Sequence, residues 1–240
     1  MTLRSRFAQS KFAGWQFAEL ALLFFLFLLV MPRLPDGFVL TSVASLFLLN
    51  LLLVANATSA TMISLRWIGW TLWTVTTLCS LVELVQLNSV QQFTTKFVGI
   101  SAHALLIMVG AISILSVVFR AGRVTIDGIF ASVVTYQMIG LFFAQVYTLM
   151  MLVDPNALHL PDSIPENTQN FRAELIYFSF VTLATLGYGD IVPDTSTARS
   201  VAIIEAIIGQ FYVAVVVALL VSSFLAQKLE EAAARSKGSK

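Results

Sequence analysis

Charged residues are scarce in this chain of 240 residues: they make up 11% of it, whereas hydrophobic residues make up 58%. Soluble domains carry about 25% charged residues. The mean hydropathy of +0.87 therefore indicates an integral membrane protein. The net charge of +1 gives no reason to expect a nucleic-acid partner. The single cysteine, Cys79, excludes an intrachain disulfide framework and a four-cysteine metal site, and its apolar neighbours indicate a packing residue.

Long apolar stretches are abundant, and a stretch of about 20 residues is enough to cross the hydrocarbon core as a helix. Six such spans are predicted: Phe12–Met31, Phe38–Asn56, Trp67–Leu87, Phe97–Phe119, Val124–Val153 and Arg199–Ala226. Polar runs are expected to break the chain between them, one of them from Asn88 to Lys96. No small-residue cleavage site follows the first span, so we expect it to be retained as a helix.

Basic residues set the expected orientation, because cytoplasmic loops carry an excess of lysine and arginine. With a cytoplasmic N-terminus, ten of the 14 basic residues lie inside and four lie outside. An even number of spans returns the C-terminus to the cytoplasm, so both termini are expected inside a cell membrane. The connection between the fifth and sixth spans is then extracellular. Its acidic residues predict a vestibule that concentrates cations, although acidity alone also fits an ordinary solvated loop.

Part of that connection is apolar again. Residues 171–184 read FRAELIYFSFVTLA, which is too short to span a membrane and too apolar to lie in water, so a re-entrant helix is predicted. The segment TLGYGD follows at once. Irregular backbone at membrane depth is tolerated only where it is buried in protein or lines a water-filled path. Gly187 and Gly189 allow the backbone angles that such a segment needs.

The segment TLGYGD, followed by IVP and a long apolar helix, resembles the selectivity filter of tetrameric potassium channels. The resemblance extends over about Arg123 to Gln227, where the last two spans are similar to the outer and inner helices of bacterial two-helix pore modules. It implies an all-α membrane fold of six transmembrane helices with a re-entrant pore helix and a filter loop. It also implies a homotetramer in the lipid bilayer, because one chain supplies a quarter of the ring.

The resemblance implies which residues bind the permeating K⁺. Inward backbone carbonyls replace the water shell of the ion, assisted by the hydroxyl of the first filter residue. The ion-binding residues of the filter would be Thr185, Leu186, Gly187, Tyr188 and Gly189, with K⁺ held at the first four.

Three residues outside the ion sites are candidates for support of the filter. Asp190 lacks the glutamate partner found in some family members, because Val181 occupies that place. We expect the Tyr177 hydroxyl to be its partner instead, since a tyrosine combines an apolar body with a hydrogen-bonding tip. Glu205 lies in the outer half of the sixth span, where we expect it to hydrogen-bond to the pore-helix region.

The inner helix suggests a gate. Gly209 is similar to the mid-helix glycine that acts as a hinge in such channels. Below it, residues four apart share one face of the helix, and an apolar constriction there could close by dewetting. The residues of this candidate gate are Val213, Val217 and Val221.

Residues 1–122 resemble a voltage-sensor domain but lack its gating arginines. The fourth span carries no lysine or arginine after Lys96 until Arg120, whereas steep gating uses 3–4 charges per subunit. Voltage insensitivity is therefore expected. The pore domain would comprise residues 123–227. A cytoplasmic tail of residues 228–240 is too short for a ligand-binding domain, so none is expected on this chain.

Two alternative functions remain open from the sequence. A general cation channel is one, because Leu186 replaces the commoner valine or isoleucine and Ala184 replaces a frequent threonine. A secondary transporter is the other, although only one broken segment is present and internal repeats are lacking. No enzymatic function and no cofactor are expected, since a suitable catalytic motif is lacking.

Overall fold

A computed structural model describes residues 16–30, 63–82, 89–120, 126–161 and 171–238. These ranges hold the following elements in chain order: α1 Gln16–Val30, α2 Ile63–Val82, α3 Ser89–Arg120, α4 Ile126–Val153, β1 Leu158–His159, α5 Phe171–Leu183, β2 Val192–Pro193 and α6 Ser196–Gly238.

Within the described ranges, three helices are long and apolar enough to cross a membrane. The qualifying segments are Ser89–Ser116 in α3, Gly128–Val153 in α4 and Ser196–Glu230 in α6. Shorter apolar segments occur in α1 and α2, at Phe17–Val30 and Trp67–Val82. The protein is therefore a mostly helical membrane protein with several apolar helices. The predicted span Phe38–Asn56 lies outside the described residues.

The predicted break from Asn88 to Lys96 is wrong, because α3 already begins at Ser89. Glutamine and lysine are good helix formers, so the polar run can continue the helix rather than end it. Most side chains of this run are exposed. A polar run thus marked the end of an apolar stretch but not the end of the helix.

The ends of the last two long helices have local causes. Helix α4 ends at Val153, and Asp154 then precedes Pro155, where helical conformation is disfavoured. Asp154 then accepts a hydrogen bond from the backbone N–H of Asn156 at 3.0 Å, which begins the turn. At the start of α6, the Thr195 hydroxyl oxygen accepts the backbone N–H of Ala198 at 3.3 Å and caps the helix.

Helix α4 lies at the centre of the core. It packs against α1, α3, α5 and α6, whereas α2 packs against α3. Aromatic rings link the elements: Phe24 of α1 contacts Phe180 of α5 with ring centroids 5.9 Å apart, and Tyr147 of α4 meets Phe178 of α5 edge to face at 4.9 Å. The short helix α5 is thereby fixed between the long ones.

Helix α6 is much less covered than α4 within one chain. In an apolar stretch of 18 residues of α6, 18% of the residues are buried, against 56% for such a stretch of α4. Large apolar side chains remain exposed along it, including Ile203, Ile207, Phe211 and Leu219. This face needs lipid or another protein chain to cover it.

Candidate functional site

Helix α5 ends in a hydrogen-bonded C-terminal cap, and Thr185 is part of this cap. The Leu186 N–H donates to the Val181 carbonyl at 2.9 Å, and the Thr185 N–H donates to the Thr182 carbonyl at 2.9 Å. Together these bonds form a Schellman motif, whose residue after the cap takes a left-handed conformation. Thr185 is that residue, with φ of 57°. Glycine is usual here, because a β-carbon strains this conformation by about 1–2 kcal/mol.

Positive φ angles recur at alternate residues after this cap. They are 57° at Thr185, 59° at Gly187 and 81° at Gly189, whereas Leu186 and Tyr188 have negative φ. Alternating right- and left-handed residues turn successive N–H groups to one side of the chain, and therefore the carbonyls to the other. A β-carbon on Gly187 or Gly189 would meet nothing within 4 Å. The backbone angle, not crowding, thus requires glycine at these two positions.

Helix α6 approaches the end of α5 at Gly209. A β-carbon on this residue would lie 2.2 Å from the Leu183 carbonyl oxygen, so only glycine fits without a shift of backbone. The Tyr136 hydroxyl of α4 donates to the same oxygen at 3.3 Å. Next to Gly209, the Gln210 side-chain N–H donates to the Thr185 hydroxyl oxygen at 3.0 Å. Helices α4 and α6 therefore converge on the first turn of the TLGYGD segment.

A buried polar cluster joins three helices around Glu205. Tyr147 of α4 donates its hydroxyl to one carboxyl oxygen of Glu205 at 2.6 Å, and the Ser179 hydroxyl of α5 lies 2.5 Å from the other. Ser179 is also 2.7 Å from the Gly140 carbonyl oxygen. Glu205, Ser179 and Tyr147 are all fully buried. The cluster ties the middle of α5 to both long helices, because a buried polar group is costly unless it is hydrogen-bonded.

The number of hydroxyl protons in this cluster limits which hydrogen bonds can form at the same time. Ser179 has one hydroxyl proton, and the Gly140 carbonyl can only accept. When Ser179 donates to Gly140, its contact with Glu205 is a hydrogen bond only if the carboxyl donates. The arrangement therefore suits a side chain that offers one donor and one acceptor at position 205.

On the other side of the loop, Tyr177 donates its hydroxyl to the Asp190 carboxylate at 2.6 Å. This is the contact expected from the sequence. The hydrogen bond holds the pKa of Asp190 below its ordinary value of 3.8 and raises the pKa of Tyr177 to about 12. Asp190 is thus an anion at neutral pH, at the end of the segment of alternating φ.

The chain after Asp190 is fixed to the loop that follows α4. Strands β1 and β2 pair antiparallel, with Leu158 opposite Pro193. The Asp194 N–H donates to the Ala157 carbonyl at 3.0 Å, and the Arg199 side-chain N–H donates to the Pro193 carbonyl at 3.1 Å. Both ends of residues 184–190 are therefore anchored, by α5 on one side and by this strand pair on the other.

The residues of the candidate gate are spread along α6. Val213 and Val221 are exposed within the single chain. The structure gives the backbone of Val217 as helical and does not describe its side chain. Among the described residues, no group of three or more His, Cys, Asp or Glu side chains is arranged to hold a metal ion.

Sequence reasoning missed several residues of the site. Ser179 carried no signal, because serine is common on helices and its partners lie far away in the chain. Tyr136 and Tyr212 were not assigned a role, yet Tyr212 donates to the Ser132 carbonyl at 2.6 Å and fixes α6 to α4. A hydroxyl at helical depth in an apolar span, which must find a partner, is the signal that points to both tyrosines.

Comparison with known proteins agrees with this geometry. A family model described as "Ion channel" matches residues 141–226, which include α5, the TLGYGD segment and most of α6. Protein LctB of Geobacillus stearothermophilus is 32% identical over 99 residues, which are 40% of this chain and 71% of that protein. Protein LctB of Bacillus caldotenax is 31% identical over 97 residues, again 40% and 71%. No solved structure matches.

A short helix, a glycine-containing loop and a long apolar helix follow one another within the matched residues, as in the pore domain of a membrane channel. The chain belongs to the ion channel family, and it is not an enzyme.

Proposed function

We propose that the protein is a potassium-selective channel that conducts K⁺ passively across the cell membrane. The carbonyls of Thr185, Leu186, Gly187 and Tyr188 and the Thr185 hydroxyl would replace the water shell of the ion. The observation that carries this proposal is the alternation of φ at residues 185, 187 and 189, because it favours a row of carbonyls on one side. No cofactor is needed for passive conduction.

We propose a homotetramer, as the resemblance of TLGYGD to the filter of tetrameric potassium channels implies. One chain offers one row of carbonyls, and a ring around an axis needs identical copies related by rotation. Within one chain the side chains next to this row are exposed, Leu186 by 57% and Tyr188 by 68%. The exposed apolar face of α6 supports contact with further copies or with lipid. The native mass of the purified protein tests this assembly, since a monomer or dimer would contradict it.

Voltage insensitivity is part of the proposal. Helix α3, residues Ser89–Arg120, carries only Lys96 and Arg120 as permanently charged residues, and they lie near its two ends. The field across the membrane therefore has almost no charge to move in this helix. We place both termini in the cytoplasm, which is supported by the ten-to-four distribution of the 14 basic residues.

A gate in the lower part of α6 completes the proposal. Gly209 would permit bending there, and the side chains of Val213, Val217 and Val221 would form an apolar constriction that closes by dewetting. A serine at Val217 should then raise the resting conductance of the channel. An unchanged conductance would count against a gate at this level.

Cation uptake into liposomes tests the function. Liposomes that contain the purified protein and K⁺ are diluted into Na⁺ medium, and the uptake of labelled Rb⁺ is compared with that of labelled Na⁺. We expect the K⁺ gradient to drive Rb⁺ uptake with little Na⁺ uptake. The control Gly189→Ala places a side chain on backbone with φ of 81° and should abolish this preference. Equal uptake of both ions by the wild type would instead favour the general cation channel, which Ala184 and Leu186 leave open.

A further inference from the structure

Thr185 stands where the backbone favours glycine. It is the left-handed residue of the cap of α5, with φ of 57°, and it is the only residue other than glycine with positive φ among those described. A β-branched residue in this conformation is strained. The strain indicates that the side chain is needed at this position, and the structure shows what it contacts.

The partner of the Thr185 hydroxyl is Gln210 of α6. The side-chain nitrogen of Gln210 lies 3.0 Å from the Thr185 oxygen and donates to it. The preceding residue, Gly209, lets the backbone of α6 approach α5 closely enough for this contact, because a β-carbon there would collide with the Leu183 carbonyl oxygen. The hydrogen bond thus depends on the close packing of α6 against the cap.

This hydrogen bond affects how well Thr185 can bind a cation. A threonine oxygen has two lone pairs, and the amide N–H of Gln210 occupies one of them. The N–H dipole also directs its positive end toward the oxygen, which opposes a cation at the same atom. The cation affinity of the hydroxyl is therefore lowered as long as Gln210 donates to it.

We propose that Gln210 is a positioning residue that weakens the ion site formed by the Thr185 hydroxyls and so speeds the exit of ions from it. This inference rests on the proposed function, in which Thr185 is the filter residue nearest the cytoplasm. It assigns to Gln210 a role that acts through Thr185 and not by contact with the ion.

Block by Ba²⁺ from the cytoplasmic side tests this role, since Ba²⁺ is a divalent cation of nearly the radius of K⁺. Gln210→Met keeps an unbranched side chain of similar length but removes the donor. We expect it to lower the blocking concentration of cytoplasmic Ba²⁺ by at least roughly threefold, the effect of one hydrogen bond. Gln210→Glu replaces the donor by an acceptor and should lower that concentration at least as much.

Variants at Thr185 provide the decisive control. In Thr185→Val, which keeps the shape and removes the hydroxyl, Gln210→Met should have no further effect on the block. In Thr185→Ser, which keeps the hydroxyl, the full effect should return. A merely structural role of Gln210 would produce the same shift in both backgrounds. If the valine variant does not assemble, Thr185→Ala serves in its place.

The outcomes separate this inference from the proposed function. Without K⁺ selectivity of the wild type, the proposed function itself fails. With a selective wild type, an unchanged Ba²⁺ block in Gln210→Met and Gln210→Glu overturns only the role of Gln210. A shift of the Ba²⁺ block by Gln210→Met that persists in Thr185→Val also overturns only the role of Gln210.

Discussion

Gly209 of α6 lies directly against the Leu183 carbonyl oxygen at the end of α5, so close that a β-carbon on Gly209 would be 2.2 Å from it. Real β-carbons do not approach an oxygen so closely, and the neighbour here is backbone, which cannot move away cheaply. Glycine at this position therefore serves close helix packing. The flanking contacts of Glu205, Gln210 and Tyr212 hold the same stretch of α6 against α4 and α5.

Replacing Gly209 by alanine tests this packing role. Alanine should stabilise an isolated helix by about 1 kcal/mol relative to glycine. We expect the opposite here, because the added methyl group pushes α6 away from α5: the melting temperature of the protein in detergent should fall. Ser222→Ala is the control, since the Ser222 hydroxyl donates to the Leu219 carbonyl of the same helix. If Gly209→Ala raises the melting temperature and changes only the open probability, Gly209 would act as a hinge and not as a packing residue.

Glu205 should tolerate glutamine but not leucine. Glutamine offers one donor for Ser179 and one acceptor for Tyr147, which is what the cluster needs. Leucine leaves the buried Tyr147 hydroxyl without its acceptor, at a cost of about 1–3 kcal/mol, whereas Ser179 keeps its bond to the Gly140 carbonyl. Thermal unfolding and Rb⁺ uptake of the two variants check the expectation. Equal loss of stability in both would mean that the negative charge, and not the hydrogen bonding, is required.

Tyr177→Phe should make conduction more sensitive to external acid. The hydrogen bond from Tyr177 holds the pKa of Asp190 below 3.8, so the wild type keeps this charge until the pH falls below that value. The contribution of the ionised Asp190 to stability is fully present above the pKa of this group in the unfolded chain. It is lost as the pH falls through the lower pKa of the folded protein. Without the hydroxyl the pKa rises toward its ordinary value, and current should decline at higher pH.

The matched control for Tyr177 is Tyr212→Phe. In the wild type the Tyr212 hydroxyl donates to the Ser132 carbonyl, so Tyr212→Phe also loses one tyrosine hydrogen bond. Current recorded against external pH should show the acid shift in Tyr177→Phe alone. Coincident curves for the wild type and Tyr177→Phe would show that Asp190 does not depend on this partner.

Opening should depend little on membrane voltage. Each charge that crosses the membrane field supplies about 2.3 kcal/mol per 100 mV. The basic residues of α3 are Lys96 and Arg120, which lie toward its two ends. The conductance–voltage relation in symmetrical K⁺ should give a gating charge below about one elementary charge per subunit. A steep sigmoidal relation would contradict the account and would require a charge-bearing element elsewhere in the chain.

Much of the site could be predicted because its signals are local in the sequence. A short helix was expected at residues 171–184, and a helix is observed at Phe171–Leu183, since a short apolar run bounded by polar and glycine-rich residues leaves little choice. The Tyr177–Asp190 contact and a contact of Glu205 with α5 are also present in the structure. The buried Glu205 must find a partner, and few candidates lie within its reach.

Contacts between distant segments could not be predicted in the same way. From the sequence the glycine at position 209 suits a hinge, and only the position of the Leu183 carbonyl shows that this residue also allows close packing of α6 against α5. The hydrogen bond between Gln210 and Thr185 likewise depends on how deeply α6 packs against α5. The start of α3 was predicted wrongly for another reason: polar residues that favour helical conformation can extend a helix beyond its apolar part.

The reversal potential of the wild-type protein is the measurement that tests potassium selectivity itself. The purified channel is placed in a planar bilayer with K⁺ on one side and Na⁺ on the other, and current is recorded against voltage. We expect a reversal potential near the K⁺ equilibrium value, because in the proposed function the carbonyls of residues 185–188 would replace the water shell of K⁺ but not that of Na⁺. A robust current that reverses near zero would contradict potassium selectivity.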